Sequence, residues 1–204
     1  MSYEKVLSGD ARLRDVMQQI PSEHIYQITP SDQVREYLIK SIVSQQLSVK
    51  VAPIILDRFR KIYGSRFPSN KSILNTDIET LRSAGLSYQK ANYIRNIAEH
   101  FEINKLKNSD FASLDDEEII ARLTQIKGVG RWTVEMVLMF CLGRPDVFSP
   151  LDYGIRTAMV DIYKLRQQNK ELEKKLYAIA EKWRPYRTTA CLYMWAYKDL
   201  KKQP

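Results

Sequence analysis

Apolar side chains recur every three or four residues along most of this chain, and that spacing constrains its fold more than any other feature. The period places apolar residues on one face of an α-helix, whereas a half-buried β-strand alternates at every second residue. The helical period is clear in residues 34–47, 52–63, 91–101 and 172–183, and strand-type alternation is nearly absent. We therefore predict an all-α protein.

Residues 132–142 are apolar on nearly every side rather than along one stripe. A helix of this kind is surrounded by protein, so we predict a central buried helix here. Ser87 is a suitable N-cap for the helix that carries residues 91–101, and Gly64 ends the helix over residues 52–63. A last helix is predicted over about residues 187–201.

The chain is basic, because Lys and Arg outnumber Asp and Glu by 32 to 24 and give a formal net charge of +8. Such a balance suits a polyanionic partner, since Lys and Arg that neutralise phosphates release condensed counterions. A soluble protein that merely happens to be basic would show the same net charge. The charge therefore admits a nucleic-acid partner without establishing one.

The metal-binding residue types are scarce: two cysteines, Cys141 and Cys191, and two histidines, His24 and His100. They lack the paired spacing of a zinc site, and two cysteines are too few for an iron–sulfur cluster. Both cysteines lie in apolar helical segments, which favours buried thiols and a reducing compartment. No apolar run approaches the ~20 residues of a membrane span, so we expect a soluble intracellular protein.

A glycine turn separates two predicted helices at Gly128 and Gly130. Glycines let the backbone turn tightly and approach another surface closely. The N–H groups that open the second helix, with its positive dipole end, form a site for an anion such as a phosphate. Lys127 and Arg131 flank the turn and add positive charge. By itself the turn is equally compatible with an ordinary connection between two helices.

A single carboxylate, Asp152, follows the turn in the segment of residues 147–156. Ser149 suits an N-cap and Pro150 the first position of a helix, which would put Asp152 at the third position. The helix N-terminus stabilises an anion there, so we expect an ionised carboxylate. The local sequence alone favours an Asp152 that caps the helix and serves its stability only.

Taken together, these segments resemble a known family. Residues 123–133, followed by residues 146–148 and 152–156, are similar to the signature of the helix-hairpin-helix DNA glycosylases. The most similar branch is that of the alkyladenine (3-methyladenine) glycosylases of the inducible bacterial and yeast type. Residues 42–48, 84–91 and 183–195 also resemble segments of that branch, so the likeness extends over most of residues 30–200.

The resemblance implies a role for each residue that matches the signature. Asp152 would be the catalytic carboxylate, which stabilises the oxocarbenium-like transition state and positions a water molecule. The hairpin would bind a DNA phosphate and could hold a structural Na⁺ or K⁺ on the backbone carbonyl of Ile126, with no cofactor required. The hairpin residues expected to contact DNA are Lys127, Gly128, Val129, Gly130 and Arg131.

The resemblance also implies how the damaged base is reached and held. Gln46 would fill the space that a flipped-out base vacates, with Ser48 as a further DNA contact. Bifunctional relatives carry a Schiff-base lysine at the position of Trp132, and indole cannot form that adduct, so strand cleavage is not expected. An aromatic pocket suits a positively charged alkylated purine. The residues expected to line this pocket are Trp132, Tyr153, Trp195 and Met136.

These expectations combine into one account of the molecule. We expect two helical lobes, residues 30–146 and residues 1–29 with 147–204, with an active-site cleft between them. The protein would be a monofunctional glycosylase that excises alkylated purines from damaged double-stranded DNA. It would act as a monomer, in the cytoplasm of a prokaryote or the nucleus of a eukaryote.

Three other functions stay open at this point. The chain could be a glycosylase for a different lesion, such as uracil, hypoxanthine or a mismatched base. It could be a non-catalytic DNA-binding module that uses the hairpin only as a clamp. A helical protein–protein adaptor is the third, although it would explain neither the glycine turn nor the spacing to Asp152.

Overall fold

The computed structural model of the chain describes residues 2–201, and all regular elements in that range are helical. This confirms the predicted all-α fold class. No helix within this range is both long and apolar enough to cross a membrane. In chain order the α-helices are α1 Tyr3–Leu7, α2 Ala11–Gln19, α3 Val34–Ser44, α4 Val51–Lys61, α5 Asn70–Asn75, α6 Ile78–Ser83, α7 Tyr88–Ile103, α8 Asp116–Leu123, α9 Arg131–Met136, α10 Tyr153–Tyr163, α11 Asn169–Ala180 and α12 Arg187–Leu200.

Short helical turns of other kinds complete the secondary structure. Three are 3₁₀ turns, at Ser22–His24, Asn108–Phe111 and Glu181–Trp183. The fourth is a π-helical turn, Val137–Cys141, which continues directly from the end of α9. The segment predicted as one buried helix over residues 132–142 is therefore α9 plus this turn, and most of its apolar side chains are buried.

The chain forms two compact units. One is Pro30–Val137, and the other combines the segment up to Thr29 with the segment from Leu138 onward. The sequence predicted the boundary after residue 146, beyond the end of the buried helix. The two units instead divide between Val137 and Leu138, inside the segment that the sequence predicted as one buried helix.

The unit Pro30–Val137 is built around α7, which packs against α3, α5 and α6. Its apolar face buries Ile94, Ile97 and Phe101, in agreement with the predicted spacing. Ser87 is the N-cap of α7, and its hydroxyl oxygen accepts a hydrogen bond from the backbone N–H of Lys90 at 3.2 Å. The long helix α7 is thus the scaffold of this unit.

The other unit is organised by α10 and α12, which pack against each other and against α2. Asp10 caps α2 and also accepts hydrogen bonds from the Tyr163 hydroxyl at 2.8 Å and the indole N–H of Trp183 at 3.4 Å. Trp183 is fully buried. These contacts attach the N-terminal helix α2 to helices from the C-terminal half of the chain.

Candidate functional site

The glycine turn between α8 and α9 has the left-handed backbone that its sequence suggests. Gly128 has φ +102°, a conformation that side chains rarely adopt, and a Cβ there would lie 2.3 Å from Cγ of Tyr93. The ring of Tyr93, on α7, packs directly under the turn. The side-chain amide of Asn96, also on α7, donates to the carbonyl oxygen of Lys127 at 3.0 Å. Gly128 is therefore a requirement of the fold.

Gly130 differs from Gly128, because the packing of the protein does not require a glycine at this position. Its φ is −94°, and apart from its two chain neighbours no described residue has an atom within 4 Å of the position that a Cβ would take. Gly130 is the N-cap of α9, and no side chain caps that helix within residues 2–201. A glycine in open space at the start of α9 leaves room for a ligand to approach the backbone closely.

The turn between α6 and α7 provides an internal comparison. Gly85 there has φ +98°, followed by buried Leu86, just as Gly128 is followed by buried Val129. The next residue is Ser87, whose side chain caps α7. Both turns therefore follow a similar backbone path, and they differ in whether a side chain occupies the start of the second helix.

The cationic neighbours of the turn have different surroundings. Arg131 donates to both carboxylate oxygens of Glu117, at 2.5 and 3.1 Å, and its Nε donates to buried Glu135 at 3.1 Å. The hydrogen bond with Glu117 raises the pKa of Arg131, and that from Arg131 lowers the pKa of Glu117. Lys127 is exposed. Lys127 is thus better placed than Arg131 to offer its charge to a phosphate.

Asp152 is the N-cap of α10, so the sequence-based register was wrong at this helix. Its backbone is extended, and Pro150 and Leu151 form a turn instead of the first helical positions. The side-chain oxygen Oδ1 accepts from the backbone N–H of Ile155 at 2.9 Å. The helix begins later than expected because Asp152, rather than Ser149, supplies this capping interaction.

A second donor holds the same carboxylate. The indole N–H of Trp195, on α12, donates to Oδ1 of Asp152 at 2.8 Å. This approach depends on Gly154, where a Cβ would lie 2.7 Å from Cδ1 of Trp195. Asp152 is only 9 % exposed, so its charge is held in a fixed place at the N-terminus of α10. Gly154 was not singled out from the sequence, because its importance depends on a residue far along the chain.

The aromatic residues expected to line a base pocket have different environments. Trp195 packs against Phe140, with ring centroids 5.6 Å apart, and against Tyr26 at 6.4 Å. Tyr153 is 75 % exposed, and the ammonium of Lys198 lies 5.1 Å from its ring centroid.

The two remaining pocket residues lie in the other unit, on α9. Trp132 is 39 % exposed, whereas Met136 is almost fully buried. Trp132 therefore has surface with which to contact a base, while Met136 mainly contributes to packing.

Gln46 and Ser48 lie in the connection between α3 and α4. Gln46 is exposed and has φ +58°, a left-handed backbone that is uncommon for a residue with a side chain. The Ser48 hydroxyl accepts a hydrogen bond from the N–H of Val51 at 3.3 Å, at the start of α4. Gln46 thus presents a polar side chain at the end of α3, and Ser48 has a local structural contact.

A comparison with known protein families shows to which family the chain belongs. Residues 39–185 match the family described as HhH-GPD superfamily base excision DNA repair protein. The chain belongs to the HhH-GPD superfamily. The matched segment contains Gln46, both glycines of the turn and Asp152, whereas Trp195 lies beyond it.

Individual HhH-GPD proteins are similar over most of the chain. DNA-3-methyladenine glycosylase 1 of Schizosaccharomyces pombe is 38% identical over 164 residues, which cover 78% of this chain and 70% of that protein. The crystal structure of a Bacillus halodurans DNA-3-methyladenine glycosidase matches with a TM-score of 0.79 and 33% identity, over 97% of this chain and 89% of that one. The structure of the S. pombe 3-methyladenine DNA glycosylase in complex with abasic DNA matches with a TM-score of 0.78 and 33% identity, over 96% of this chain and 95% of that one.

Proposed function

We propose that this protein is a monofunctional DNA glycosylase, which flips alkylated purines out of duplex DNA and hydrolyses their N-glycosidic bonds. The observation that carries the proposal is the Asp152 carboxylate, fixed at the start of α10 by donors from Ile155 and Trp195. The relatives named as 3-methyladenine glycosylases support the substrate class. We further propose that the protein acts as a monomer on damaged double-stranded DNA.

The proposed chemistry uses the fixed negative charge of Asp152. When the N-glycosidic bond breaks, its electron pair leaves with the base and positive charge develops on the deoxyribose. A carboxylate beside the sugar stabilises that charge, and it does so without reorganisation because its donors already hold it. A water molecule then adds to C1′ and releases a proton to solvent, and Asp152 can position that water. We assign electrostatic stabilisation to Asp152 as its main contribution.

The same proposal predicts that the protein does not cleave the DNA strand. A Schiff base requires an amine, and Trp132 stands at the position where the resemblance places that lysine in bifunctional enzymes. A partly exposed indole at this position can instead stack on a base. The electron-rich face of an aromatic ring attracts a cationic methylated purine more strongly than a neutral one. We therefore assign Trp132 to base recognition.

DNA binding is assigned to the hairpin and to the end of α3. The N–H groups that follow Gly130 would bind a backbone phosphate, and exposed Lys127 would add its charge. Such contacts give position without reading sequence. Gln46 would enter the base stack where the flipped nucleotide has left, because its exposed amide extends from a short connection between two helices.

We propose that the hairpin binds a monovalent cation through the backbone carbonyl of Ile126. The carbonyl oxygen of Ile126 accepts the N–H of Val129 at 2.9 Å, and a carbonyl has a second lone pair with which to bind a cation. Such an ion would add positive charge near the bound phosphate. Replacing Na⁺ and K⁺ by tetramethylammonium at constant ionic strength should then weaken DNA binding. An unchanged affinity would rule out a cation at this position.

The function is tested with a panel of duplexes that each contain one lesion. We expect purified protein to release methylated purine and to leave the strands intact until alkali is added. Release of uracil or hypoxanthine with no release of methylpurine would assign another lesion. Breaks without alkali would show that the interpretation of Trp132 is wrong. Duplex binding with no release of any base would identify a non-catalytic DNA-binding protein.

A further inference from the structure

Lys90 makes a contact that the proposed chemistry does not use. Its ammonium donates to the backbone carbonyl oxygens of Val43 at 2.9 Å and of Gln45 at 2.5 Å. Partial burial removes some of the hydration of this cation, and this lowers the pKa of Lys90. The last carbonyls of a helix have no partner within the helix, and the negative end of its dipole lies there. Lys90 therefore caps the C-terminus of α3 from a neighbouring helix.

The end of α3 is where Gln46 takes its unusual conformation. Helix α3 ends at Ser44, Gln45 follows with an extended ψ of 130°, and Gln46 has φ +58°. A residue with a side chain keeps a left-handed backbone only where the surrounding structure holds it. Lys90 binds the carbonyl immediately before Gln46, so it acts on the peptide unit that sets the direction of this residue.

Lys90 lies on the same side of α7 as two residues that support the glycine turn. Lys90, Tyr93 and Asn96 follow one another at intervals of three residues, which places them along one side of the helix. Tyr93 packs under Gly128, and Asn96 binds the carbonyl of Lys127. One side of α7 therefore supports both the glycine turn and the end of α3.

We propose that Lys90 is a positioning residue for base flipping: its ammonium holds the end of α3 so that Gln46 points into the DNA base stack. Helix α7 then sets the spacing between the inserted residue and the phosphate-binding turn. The inference rests on the proposed function, because it assigns Lys90 to the flipping step of that reaction. Lys90 itself does not touch the reacting atoms.

The first test is a double-mutant cycle with Lys90→Met and Gln46→Ala, measured as single-turnover excision from a methylated duplex. Loss of two hydrogen bonds from a charged donor should slow Lys90→Met about tenfold. Because Lys90 acts through Gln46, adding Lys90→Met to Gln46→Ala should slow that variant by less than about twofold. Multiplicative effects of the two substitutions would overturn the proposal.

Matched controls separate positioning from loss of charge or of stability. Lys71→Met removes a positive charge from the same unit at an exposed site, and it should not change the duplex rate by more than about twofold. Lys90→Arg, which can still donate to both carbonyls, should recover most of the rate. On a single-stranded methylated oligonucleotide, where no stack must be opened, Lys90→Met should match the wild type. An equal loss on both substrates would contradict the flipping role.

Hydrogen exchange of the DNA-free protein tests the positioning role independently of activity. The N–H groups of Gln45 and Leu47 are hydrogen-bonded to Ser41 and Ser44, each at 3.1 Å. Lys90→Met should speed exchange in the peptide of residues 41–50, and Lys71→Met should not. Unchanged exchange would overturn the positioning role. If the wild type releases no base from either substrate, the proposed function fails, and the exchange result still reports on Lys90.

Discussion

The two glycines of the turn should respond differently to substitution, and the size of the difference follows from their surroundings. In Gly128→Ala the new Cβ would meet Cγ, Cδ1 and Cδ2 of Tyr93 at 2.3, 2.4 and 2.6 Å. An L-residue in the left-handed region costs roughly 1–2 kcal/mol, and overpacking adds roughly 1–3 kcal/mol. The free energy of unfolding should therefore fall by about 2–5 kcal/mol, a large share of the stability of a typical domain.

Gly130→Ser is the contrasting substitution. Apart from the two chain neighbours, no described residue has an atom within 4 Å of the new Cβ, and φ is negative. Serine is also a preferred N-cap, as Ser87 shows in the comparable turn. The free energy of unfolding should change by no more than about 0.5 kcal/mol. Affinity for duplex DNA should nevertheless fall about tenfold, equally for damaged and undamaged DNA, because the side chain occupies the space of the phosphate.

The assay is thermal unfolding by circular dichroism, combined with fluorescence anisotropy of labelled duplexes at one salt concentration. For Gly128→Ala, Tm should fall by roughly 4–20 °C, given about 2–4 °C per kcal/mol for a chain of this size. For Gly130→Ser, Tm should stay almost constant while affinity falls. An unchanged Tm in Gly128→Ala would refute the packing argument. Full affinity in Gly130→Ser would refute the phosphate site.

Three further predictions concern single side chains. Trp195→Phe keeps an aromatic ring but removes the hydrogen-bond donor to Asp152, so kcat should fall about tenfold while DNA affinity stays unchanged. An unaltered kcat would show that this hydrogen bond does not hold the carboxylate for catalysis. Lys127→Met should weaken DNA binding evenly across sequences and reduce the steepness of log affinity against log salt concentration by about 1. A salt titration measures that slope, and an unchanged slope would show that Lys127 does not contact a phosphate. Arg131 lowers the pKa of Glu117, so the stabilisation from this pair is present at neutral pH and is lost as pH falls through the lowered pKa. The Tm difference between wild type and Glu117→Gln should therefore shrink below about pH 4, and a difference that persists at lower pH would contradict the assignment.

The all-α class could be predicted from the sequence because helical burial depends on a local period. The helix over residues 91–101 and its cap at Ser87 follow from spacing and N-cap preference, and both are found in α7. Helices α2, α5 and α6 were not foreseen, since each is short and most of its burial depends on distant partners. The start of α10 was misplaced, because Ser149 and Asp152 are both acceptable caps in the sequence.

Some residues of the site could likewise be predicted from a local segment of sequence, whereas others depend on contacts between distant segments. Asp152 and the glycine turn stand in a recognisable segment, so the amino-acid sequence alone was enough to single them out. The contact between Trp195 and Asp152, and the need for Gly154 that follows from it, join residues on two helices. The support of Gly128 by Tyr93 is equally non-local. Such pairings are set by tertiary packing, which a period of apolar residues does not encode.

The charge of Asp152 should drive base release, and one comparison isolates that charge from every other property of the side chain. Wild type and Asp152→Asn are measured side by side for single-turnover release of methylated purine and for affinity to the same duplex. Asparagine keeps the size of the side chain and can still accept the hydrogen bonds from Ile155 and Trp195. We predict that release falls at least about a hundredfold while affinity is nearly unchanged. An Asp152→Asn protein that releases base at the wild-type rate would contradict the catalytic role of Asp152.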